Sequence, residues 1–542
     1  MSNKVHEAYA RIAAHADNPI FIHAVPKEEA LERAAAARGP LAGRLFAVKD
    51  NIDVAGLPTT AACPTFAYVA NDTAPAVQKL LDAGAVLVGK TNLDQFATGL
   101  VGTRSPYGAC RNAFDPSYIS GGSSSGSAVA VALGIVDFAL GTDTAGSGRV
   151  PAAFNNLVGL KPTRGLVSTQ GVVPACRSLD CVSVFAKTCR DALEVFELMS
   201  RPFDPVAPRF GVAVPRQLEF HGDRDYERLF SEAVARLVAL GGTVREIDFE
   251  PFLEVQLLLY GPWVAERLAE GFPLDQMLPV TRKVIESGAR YSAADAFRAQ
   301  HRLASLRKKC TFEDILVVPG APTIYRIAEV EADPIELNSR LGRYTNFVNL
   351  LDLAAITVPA GFRADGLPFG ITLIGPAFSD YALAAAAARF HGENEIPGPA
   401  SGVQLAVVGA HLAGMPRNHE LTERGARLVR TTRTAWAYRL FALDGKPGLV
   451  RAEHGTSIEV EVWDMPARRF GDFVAGIPAP LGIGTLELED GTRVKGFLCE
   501  HHAVQGRPDI SSWGGWRAYC ANLRTSAVSA PCGEASSSKM VK

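Results

Sequence analysis

Residues 121–147 read GGSSSGSAVAVALGIVDFALGTDTAGS. Glycine and hydroxyl residues are concentrated at both ends of this stretch, and its apolar middle predicts a buried helix over 125–140, capped by the serines before it. A flexible linker could have the same glycine and serine content, but it would not be followed by a buried helix and a second compact turn. The stretch therefore predicts an ordered, closely packed part of a folded domain.

Short apolar strands alternate with helices on both sides of this stretch. Strands are predicted at 45–54, 85–88, 315–319 and 356–359, and helices at 1–40 and 74–83. Strands and helices that alternate over several hundred residues are typical of an α/β layer structure.

The length and one proline-rich and glycine-rich segment predict two domains. A chain of 542 residues is too long for one ordinary domain, and residues 391–403 interrupt the apolar pattern, which predicts domains at 1–398 and 404–520. Alternating apolar residues flank Asp490-Gly491, a hairpin signal, so we expect the second domain to be a smaller, β-rich α+β domain. Residues 524–542 are rich in Ser and Ala and are expected to be disordered.

The composition argues against several classes of protein. The formal net charge is −2, which does not favour a surface for nucleic acids or anionic membranes. Nine scattered cysteines without CxxC pairs indicate reduced thiols rather than disulfides or a zinc site. No apolar run reaches the roughly 18 residues of a membrane span, and the N-terminus lacks the apolar core of a signal peptide. We therefore expect a cytoplasmic protein without a metal or another cofactor.

One motif is misleading. Residues 84–91, GAVLVGKT, satisfy the phosphate-binding expression GxxxxGK[ST]. A phosphate-binding loop needs flexible backbone between its glycines, whereas AVLV is a β-branched, apolar strand pattern. The sequence therefore argues against nucleotide binding here.

Three side chains are candidates for chemistry: Ser123, Ser147 and Lys49, the last in the apolar segment FAVKDN. Each alone has an ordinary structural interpretation, with Ser147 as a helix cap and Lys49 as a solvated strand residue. Two hydroxyls, one amine and glycine-rich backbone together, with apolar flanks, favour an acyl-transfer site that needs no histidine.

Residues 121–165, from GGSSSG to KPTRG, resemble the amidase signature family. The resemblance implies an α/β/α sandwich with a mixed sheet and a Ser–cis-Ser–Lys triad. By its motif, Ser147 is the nucleophile, Ser123 is the bridging serine after a cis Gly122–Ser123 bond, and Lys49 is the base. A lysine acts as a base only when neutral, and burial lowers its pKa in that direction.

The turn that carries Ser147 is predicted to supply the oxyanion hole. Its donors would be the backbone N–H groups of Thr144, Ala145, Gly146 and Ser147. We expect Asp143 to order this turn and Arg149 to have a structural role, with an active-site salt bridge as the alternative.

Residues 260–267, YGPWVAER, resemble a segment of the allophanate hydrolases within that family. The resemblance implies that Tyr260 and Arg267 bind the substrate, and a guanidinium fork suits a planar carboxylate. The alternative is an arginine on a helix surface, paired with a glutamate.

The second domain resembles the allophanate hydrolase C-terminal domain over 407–426, 458–466, 478–500 and 514–517. That domain is similar to the γ-glutamyl cyclotransferase fold, but residues 462–486 lack the glutamate that cyclotransferases use. The resemblance implies a role in decarboxylation, for which His411 is the candidate. A structural histidine is the alternative.

Together these resemblances imply an enzyme that hydrolyses allophanate to ammonia and, after decarboxylation, CO2. They further imply a homodimer with a functional link to a urea carboxylase. The alternatives are a general amidase, an amidotransferase subunit, or an inactive amidase fold that serves as a scaffold in a urea-carboxylating complex.

Overall fold

The computed structural model describes residues 2–201, 203–208, 211–394 and 402–525. The chain forms two compact units, Met1–Pro397 and Gly398–Lys542. Of the expected disordered tail, residues 524 and 525 belong to a helix, and the rest lies outside the described residues. Most of the interrupting segment 391–403 also lies outside them.

The first unit is built on one mixed sheet of 11 strands in the order β1-β5-β2-β6-β8-β7-β12-β13-β11-β9-β10. The two other strands, β3 and β4, form a separate small hairpin. The strands of this unit are β1 (Phe21–Ala24), β2 (Leu45–Lys49), β3 (Pro58–Thr59), β4 (Tyr68–Val69), β5 (Val86–Thr91), β6 (Phe138–Asp143), β7 (Val158–Lys161), β8 (Cys181–Ala186), β9 (Val212–Pro215), β10 (Val244–Ile247), β11 (Ile315–Pro319), β12 (Ala354–Phe362) and β13 (Pro368–Gly375).

Helices precede, connect and follow these strands. They are α1 (Ser2–Ala14), α2 (Lys27–Ala36), α3 (Pro75–Asp82), α4 (Ser125–Ala132), α5 (Val150–Phe154), α6 (Cys189–Met199), α7 (Arg224–Ala239), α8 (Glu250–Leu259), α9 (Val264–Ala269), α10 (Pro279–Glu286), α11 (Ala293–Arg307), α12 (Ile327–Ala332), α13 (Glu336–Leu341), α14 (Asn346–Leu350) and α15 (Asp380–His391).

Strand β2, which lies inside the sheet between β5 and β6, shows why helices cover both faces of the sheet. Phe46 and Val48 pack in a core with side chains of α3, α6 and α15, whereas Leu45 and Ala47 pack on the opposite face with α1, α2 and α4. Because successive side chains of a strand point to opposite faces, a strand that is apolar throughout must be covered twice. The predicted α/β/α arrangement with a mixed sheet is confirmed.

The structure corrects the predicted helix over 125–140. Helix α4 ends at Ala132, Gly134 has a φ of 66°, and the chain then enters strand β6 at Phe138. Both elements are buried on all sides, so the apolar run has no periodicity that separates a helix from a strand. Ser124 lies at the N-cap of α4, but its side chain makes no capping bond there.

The predicted strand over 45–54 ends early, at Lys49, and the predicted strand over 85–88 continues to Thr91. The second difference places the lysine of the GKT motif inside a strand, where Lys90 Nζ lies 3.2 Å from Asp50 Oδ1 and donates to Pro58 and Thr59. Strand β1 was not predicted; it pairs antiparallel with β5.

The second unit has a five-stranded sheet in the order β15-β18-β14-β20-β19 and a small β16-β17 pair. Its elements are β14 (Val403–Val407), α16 (His419–Thr422), β15 (Arg427–Arg433), β16 (Tyr438–Ala442), β17 (Pro447–Arg451), β18 (Glu459–Met465), α17 (Ala467–Ala475), β19 (Leu481–Glu487), β20 (Arg493–Cys499) and α18 (Trp516–Thr525). The predicted hairpin corresponds to β19 and β20, and Gly491 in its turn has a φ of 80°. Among the described residues, no helix has the length and apolar character needed to cross a membrane.

Candidate active site

Lys49 occupies the last position of β2, a strand paired in parallel with both β5 and β6. Its side chain is fully buried, and Nζ donates to Ser123 Oγ at 2.8 Å and to Thr142 Oγ1 at 2.7 Å. Burial lowers the pKa of Lys49 from 10.5 to about 7, against the opposing effect of three buried aspartates. The amine therefore has a large neutral fraction near pH 7, as a general base requires.

Ser123 lies in the loop before α4, after a cis Gly122–Ser123 peptide bond. Its carbonyl accepts a bond from the Asp94 amide at 3.1 Å. A Cβ atom at Gly122 would lie 2.0 Å from Asp94 Oδ2 and 2.6 Å from the nitrogen of Gly102. Only glycine fits this close approach, which holds Ser123 against Lys49.

Ser147 lies in the turn between β6 and α5, and the residue is 3% exposed. Within the described part of the chain its hydroxyl makes no hydrogen bond, so the structure joins Lys49 to Ser123 directly but does not join Ser123 to Ser147. The carboxylate of Asp143 organises the turn by accepting from the amides of Gly146 at 3.0 Å and Gly148 at 2.9 Å.

The bond from Gly146 to Asp143 corrects one expectation. Because the Gly146 amide already donates to that carboxylate, it does not point freely toward a substrate. The amides of Thr144, Ala145 and Ser147 make none of the loop hydrogen bonds found among the described residues. These three are the donors that remain for a developing oxyanion.

Arg149 is fully buried and binds Asp143, the carboxylate that organises the turn, as expected for a structural residue. Its Nε and Nη2 atoms donate to the two Asp143 oxygens at 2.9 and 2.8 Å, and both terminal nitrogens donate to the Thr345 carbonyl at 3.2 Å. Burial raises the pKa of Asp143, but Arg149 and further donors outweigh it, so the pKa stays below its ordinary value. The carboxylate is thus kept ionised and committed to the turn.

Asp180 was missed by the sequence analysis. Its carboxylate accepts from the Thr144 hydroxyl and from the amides of Ala175 and Cys176, at 3.0 Å and 3.2 Å respectively. Burial raises its pKa to about 6, and the charge of Arg267 is among the effects that oppose this. Asp180 thereby connects the candidate oxyanion turn to the surroundings of Arg267.

Arg267, on α9, is not on the surface, which contradicts the alternative of a solvated helix arginine. It is 2% exposed, donates from Nη1 to Thr98 Oγ1 at 3.0 Å, and its guanidinium carbon lies 5.5 Å from the centre of the Tyr260 ring. No carboxylate of the described ranges lies within salt-bridge distance of it. One of its five N–H groups has a hydrogen-bond partner among the residues that the structure describes, an arrangement that suits an anionic ligand.

The second unit contains its own cavity of about 260 Å³, and His411 lines it. His411 Nε2 lies 2.9 Å from Glu420 Oε2, and the ring stacks on Phe497 with 5.1 Å between centres. Burial lowers the pKa of His411, while Glu420 acts in the opposite direction. Lys446, Arg417 and Asp444 also line this cavity, and Arg417 Nε donates to Glu420 Oε1 at 2.8 Å. The cavity thus combines an imidazole–carboxylate pair with two cationic side chains and a second carboxylate.

Comparisons with known proteins identify the family of the chain. The sequence pattern of the amidase family matches residues 4–384, and that of the allophanate hydrolase C-terminal domain matches residues 403–521. The chain belongs to the amidase family. One relative is a glutamyl-tRNA(Gln) amidotransferase subunit of Symbiobacterium thermophilum, 37% identical over 63% of this chain and 81% of that protein.

Other relatives match both units. The urea amidolyase of Saccharomyces cerevisiae is 46% identical over 90% of this chain, which spans only 30% of that longer protein. The structure of Kluyveromyces lactis urea amidolyase matches 96% of this chain with a TM-score of 0.74 at 42% identity, over 36% of its own length. The structure of the separate K. lactis allophanate hydrolase matches with a TM-score of 0.73, also at 42% identity, and 96% of this chain covers 97% of it.

Proposed function

We propose that this amidase hydrolyses allophanate, the N-carboxylated form of urea. The observation that carries the proposal is the buried Arg267, which has no carboxylate within salt-bridge distance among the described residues and whose charge acts on Asp180, the partner of Thr144 in the candidate oxyanion turn. Burying an unpaired charge is costly, so a site of this kind favours a ligand that brings the opposite charge. The similarity to an allophanate hydrolase over nearly the whole chain supports the same substrate.

In the proposed reaction, Ser147 attacks the terminal amide carbon of allophanate. The hydroxyl proton passes to Ser123, whose own proton passes to the neutral amine of Lys49, and the amides of Thr144, Ala145 and Ser147 stabilise the oxyanion. Collapse of the tetrahedral intermediate breaks the C–N bond, and the proton returns along the same path to the departing ammonia. Water then attacks the acyl-Ser147 ester and regenerates the hydroxyl.

Arg267 and Tyr260 orient the substrate in this scheme. A guanidinium fork binds a planar carboxylate through two parallel N–H bonds, which fixes the position of the amide at the other end of a small, rigid molecule. Tyr260 packs against the guanidinium face and limits its movement. A general amidase that acts on uncharged amides has no need of this anion site. Glutamine, the substrate of an amidotransferase subunit, also carries a carboxylate, and the similarity to an allophanate hydrolase over both units favours allophanate over it.

The product of amide cleavage is a dicarboxylate that must lose CO2. We propose that the cavity of the second unit assists this step, with Lys446 and Arg417 attracting the dianion and His411, held by Glu420, donating a proton to the departing nitrogen. The composition of the cavity supports this role.

We propose a metabolic partner, an oligomeric state and a compartment for this enzyme. Allophanate would come from a urea carboxylase, and the small share of the yeast urea amidolyase that this chain covers supports such a link. We further propose a homodimer in the cytoplasm.

An ammonia-release assay with allophanate, biuret and malonamide tests the assignment. We expect allophanate to be the best substrate by kcat/KM, and an Arg267→Met variant to lose most of that preference while keeping its turnover of malonamide. Equal rates on all three compounds would indicate a general amidase, and no ammonia from any of them would favour a scaffold role.

A further inference from the structure

A second buried arginine contacts the same threonine as Arg267. Arg104, in the loop between β5 and α4, is 3% exposed and its guanidinium bridges two main-chain carbonyls, with Nη1 2.9 Å from the Thr98 oxygen and Nη2 2.5 Å from the Pro334 oxygen. Its Nε atom is buried and has no hydrogen-bond partner. Like Arg267, it has no carboxylate of the described residues within salt-bridge distance.

Thr98 connects the two arginines. Its carbonyl accepts from Arg104, and its hydroxyl accepts from Arg267 at 3.0 Å while donating to the Phe96 carbonyl at 3.1 Å. The position of the Thr98 hydroxyl therefore depends on the carbonyl that Arg104 holds. A shift of this residue would move the hydrogen-bond acceptor that aims the Arg267 guanidinium.

The nearest acidic groups are already occupied by backbone donors. Asp94 accepts from the amides of Val101, Gly102 and Arg104 at 2.9 to 3.2 Å. Asp180 accepts from the Thr144 hydroxyl and from two backbone amides. Burial lowers the pKa of Arg104, and the charge of Arg267 acts in the same direction. The charge of Asp94 opposes both effects, and an anion bound beside the two arginines would further offset the repulsion between them.

We propose that Arg104 is a positioning residue for substrate specificity: it fixes Thr98, and through it Arg267, and it adds a second positive charge behind the carboxylate site. The inference rests on the proposed function and deepens it. Arg104 does not touch the substrate, because its terminal nitrogens are used by carbonyls and its Nε atom is buried. An arginine suits this role because a planar fork spans two carbonyls, whereas a lysine presents one point charge.

Malonamate and malonamide test the proposal, because they differ by a carboxylate against an amide and both release ammonia from the same kind of terminal amide. For Arg104→Met we expect the KM for malonamate to rise about tenfold or more, which corresponds to a loss of roughly 1.4 kcal/mol of binding. The kcat for both substrates and the KM for malonamide should be nearly unchanged. Arg104→Lys should restore part of the loss because it keeps the charge.

Two further variants control for folding and for arginine loss in general. Thr98→Val keeps the carbonyl that Arg104 holds but removes the hydroxyl that Arg267 uses, so it should also raise the KM for malonamate alone. Arg201→Met removes an exposed arginine that donates to the Gly165 carbonyl at 3.0 Å, and it should change neither substrate.

A double variant separates positioning from general support of the fold. If Arg104 acts through Arg267, then adding Arg104→Met to Arg267→Met should change the preference for malonamate much less than it does in the wild type. Two results would overturn the role of Arg104 and leave the proposed function intact: equal losses of kcat/KM on both substrates, or an unchanged preference for malonamate in Arg104→Met and Thr98→Val. A wild-type enzyme that does not prefer malonamate would overturn the proposed carboxylate site and this inference with it.

Discussion

The Nζ atom of Lys49 lies 2.8 Å from the Oγ atom of Ser123, and neither side chain is exposed to solvent. A buried amine held by two hydroxyls, with no carboxylate in salt-bridge distance among the described residues, is maintained in a state that favours the neutral form. The strand places the lysine, the glycine-rich loop places the serine, and the low dielectric sets the protonation state. The consequence is a dependence of activity on pH that can be measured.

We predict that kcat/KM for amide hydrolysis falls as the pH drops below about 7, the pKa of Lys49. Below that value the amine is protonated and cannot accept the proton from Ser123, so the rate should fall about tenfold per pH unit. The measurement is a pH–rate profile with an uncharged amide such as malonamide, which itself does not titrate in this range. A flat profile between pH 5 and 8 would contradict the assignment of Lys49 as the base.

The same shift makes a prediction about stability. The pKa of Lys49 is lower in the folded protein than its ordinary 10.5, so between about pH 7 and 10.5 the unfolded chain binds a proton that the folded chain does not. The free energy of unfolding of the wild type, relative to Lys49→Met, should therefore rise with pH across this window and stay at its lowest below it. Urea denaturation of both proteins at pH 6, 8 and 10 measures the difference, which should be the same at all three values if Lys49 is not buried.

Replacement of Ser147 and replacement of Ser123 should lower the rate of ammonia release to different extents. Ser147→Ala removes the nucleophile and should abolish ammonia release, whereas Ser123→Ala keeps the nucleophile but removes the proton path and should leave a residual rate lower by roughly 10³-fold or more. Both variants should unfold at a temperature close to that of the wild type, since each removes one hydroxyl. Turnover by Ser147→Ala at a near-normal rate would rule out the acyl-Ser147 step.

The contact between Arg149 and Asp143 makes a prediction about stability rather than chemistry. Arg149→Met leaves a buried carboxylate without its partner, which should lower the free energy of unfolding by about 3–5 kcal/mol. Arg149→Lys should recover part of this, but it cannot donate to both Asp143 oxygens and to Thr345 at once. Urea denaturation checks both variants, and Arg201→Met provides an exposed arginine for comparison.

Much of the fold could be predicted because short apolar segments, glycines and prolines have local meaning. The errors fall where the local pattern is ambiguous. The apolar run over 125–140 contains a helix that ends at Ala132 and the start of a strand at Phe138, and Gly134 lies between them. Strand β1 is short and partly polar, and its existence depends on pairing with β5 rather than on its own sequence.

The sequence predicts Ser147, Ser123 and Lys49 as candidates because glycine-rich turns and an isolated lysine form a recognisable motif, and the structure places Lys49 against Ser123. Arg104 and Asp180 could not be predicted, since single charged residues in loops resemble surface residues until the fold buries them. Glu420, half-buried on α16, could not be predicted because its contact with His411 depends on the fold. The role of Gly146 was assigned too broadly, because the sequence does not show which amides of a turn its own aspartate uses. Which charged residues are buried, and which amides of the turn are already bonded, depends on contacts between residues far apart in the sequence.

The cavity of the second unit provides a last prediction. His411→Asn removes the imidazole that we propose as the proton donor, so it should slow the appearance of CO2 from allophanate while the first ammonia is released by the other unit at the wild-type rate. Glu420→Gln should have a smaller effect in the same direction, because it weakens the bond that orients His411.

Membrane-inlet mass spectrometry of CO2, recorded with ammonia in the same reaction, separates the two steps. His454→Asn, an exposed histidine of the same unit, is the matched control and should leave both traces unchanged. Identical CO2 kinetics in His411→Asn and His454→Asn would make His411 a structural residue.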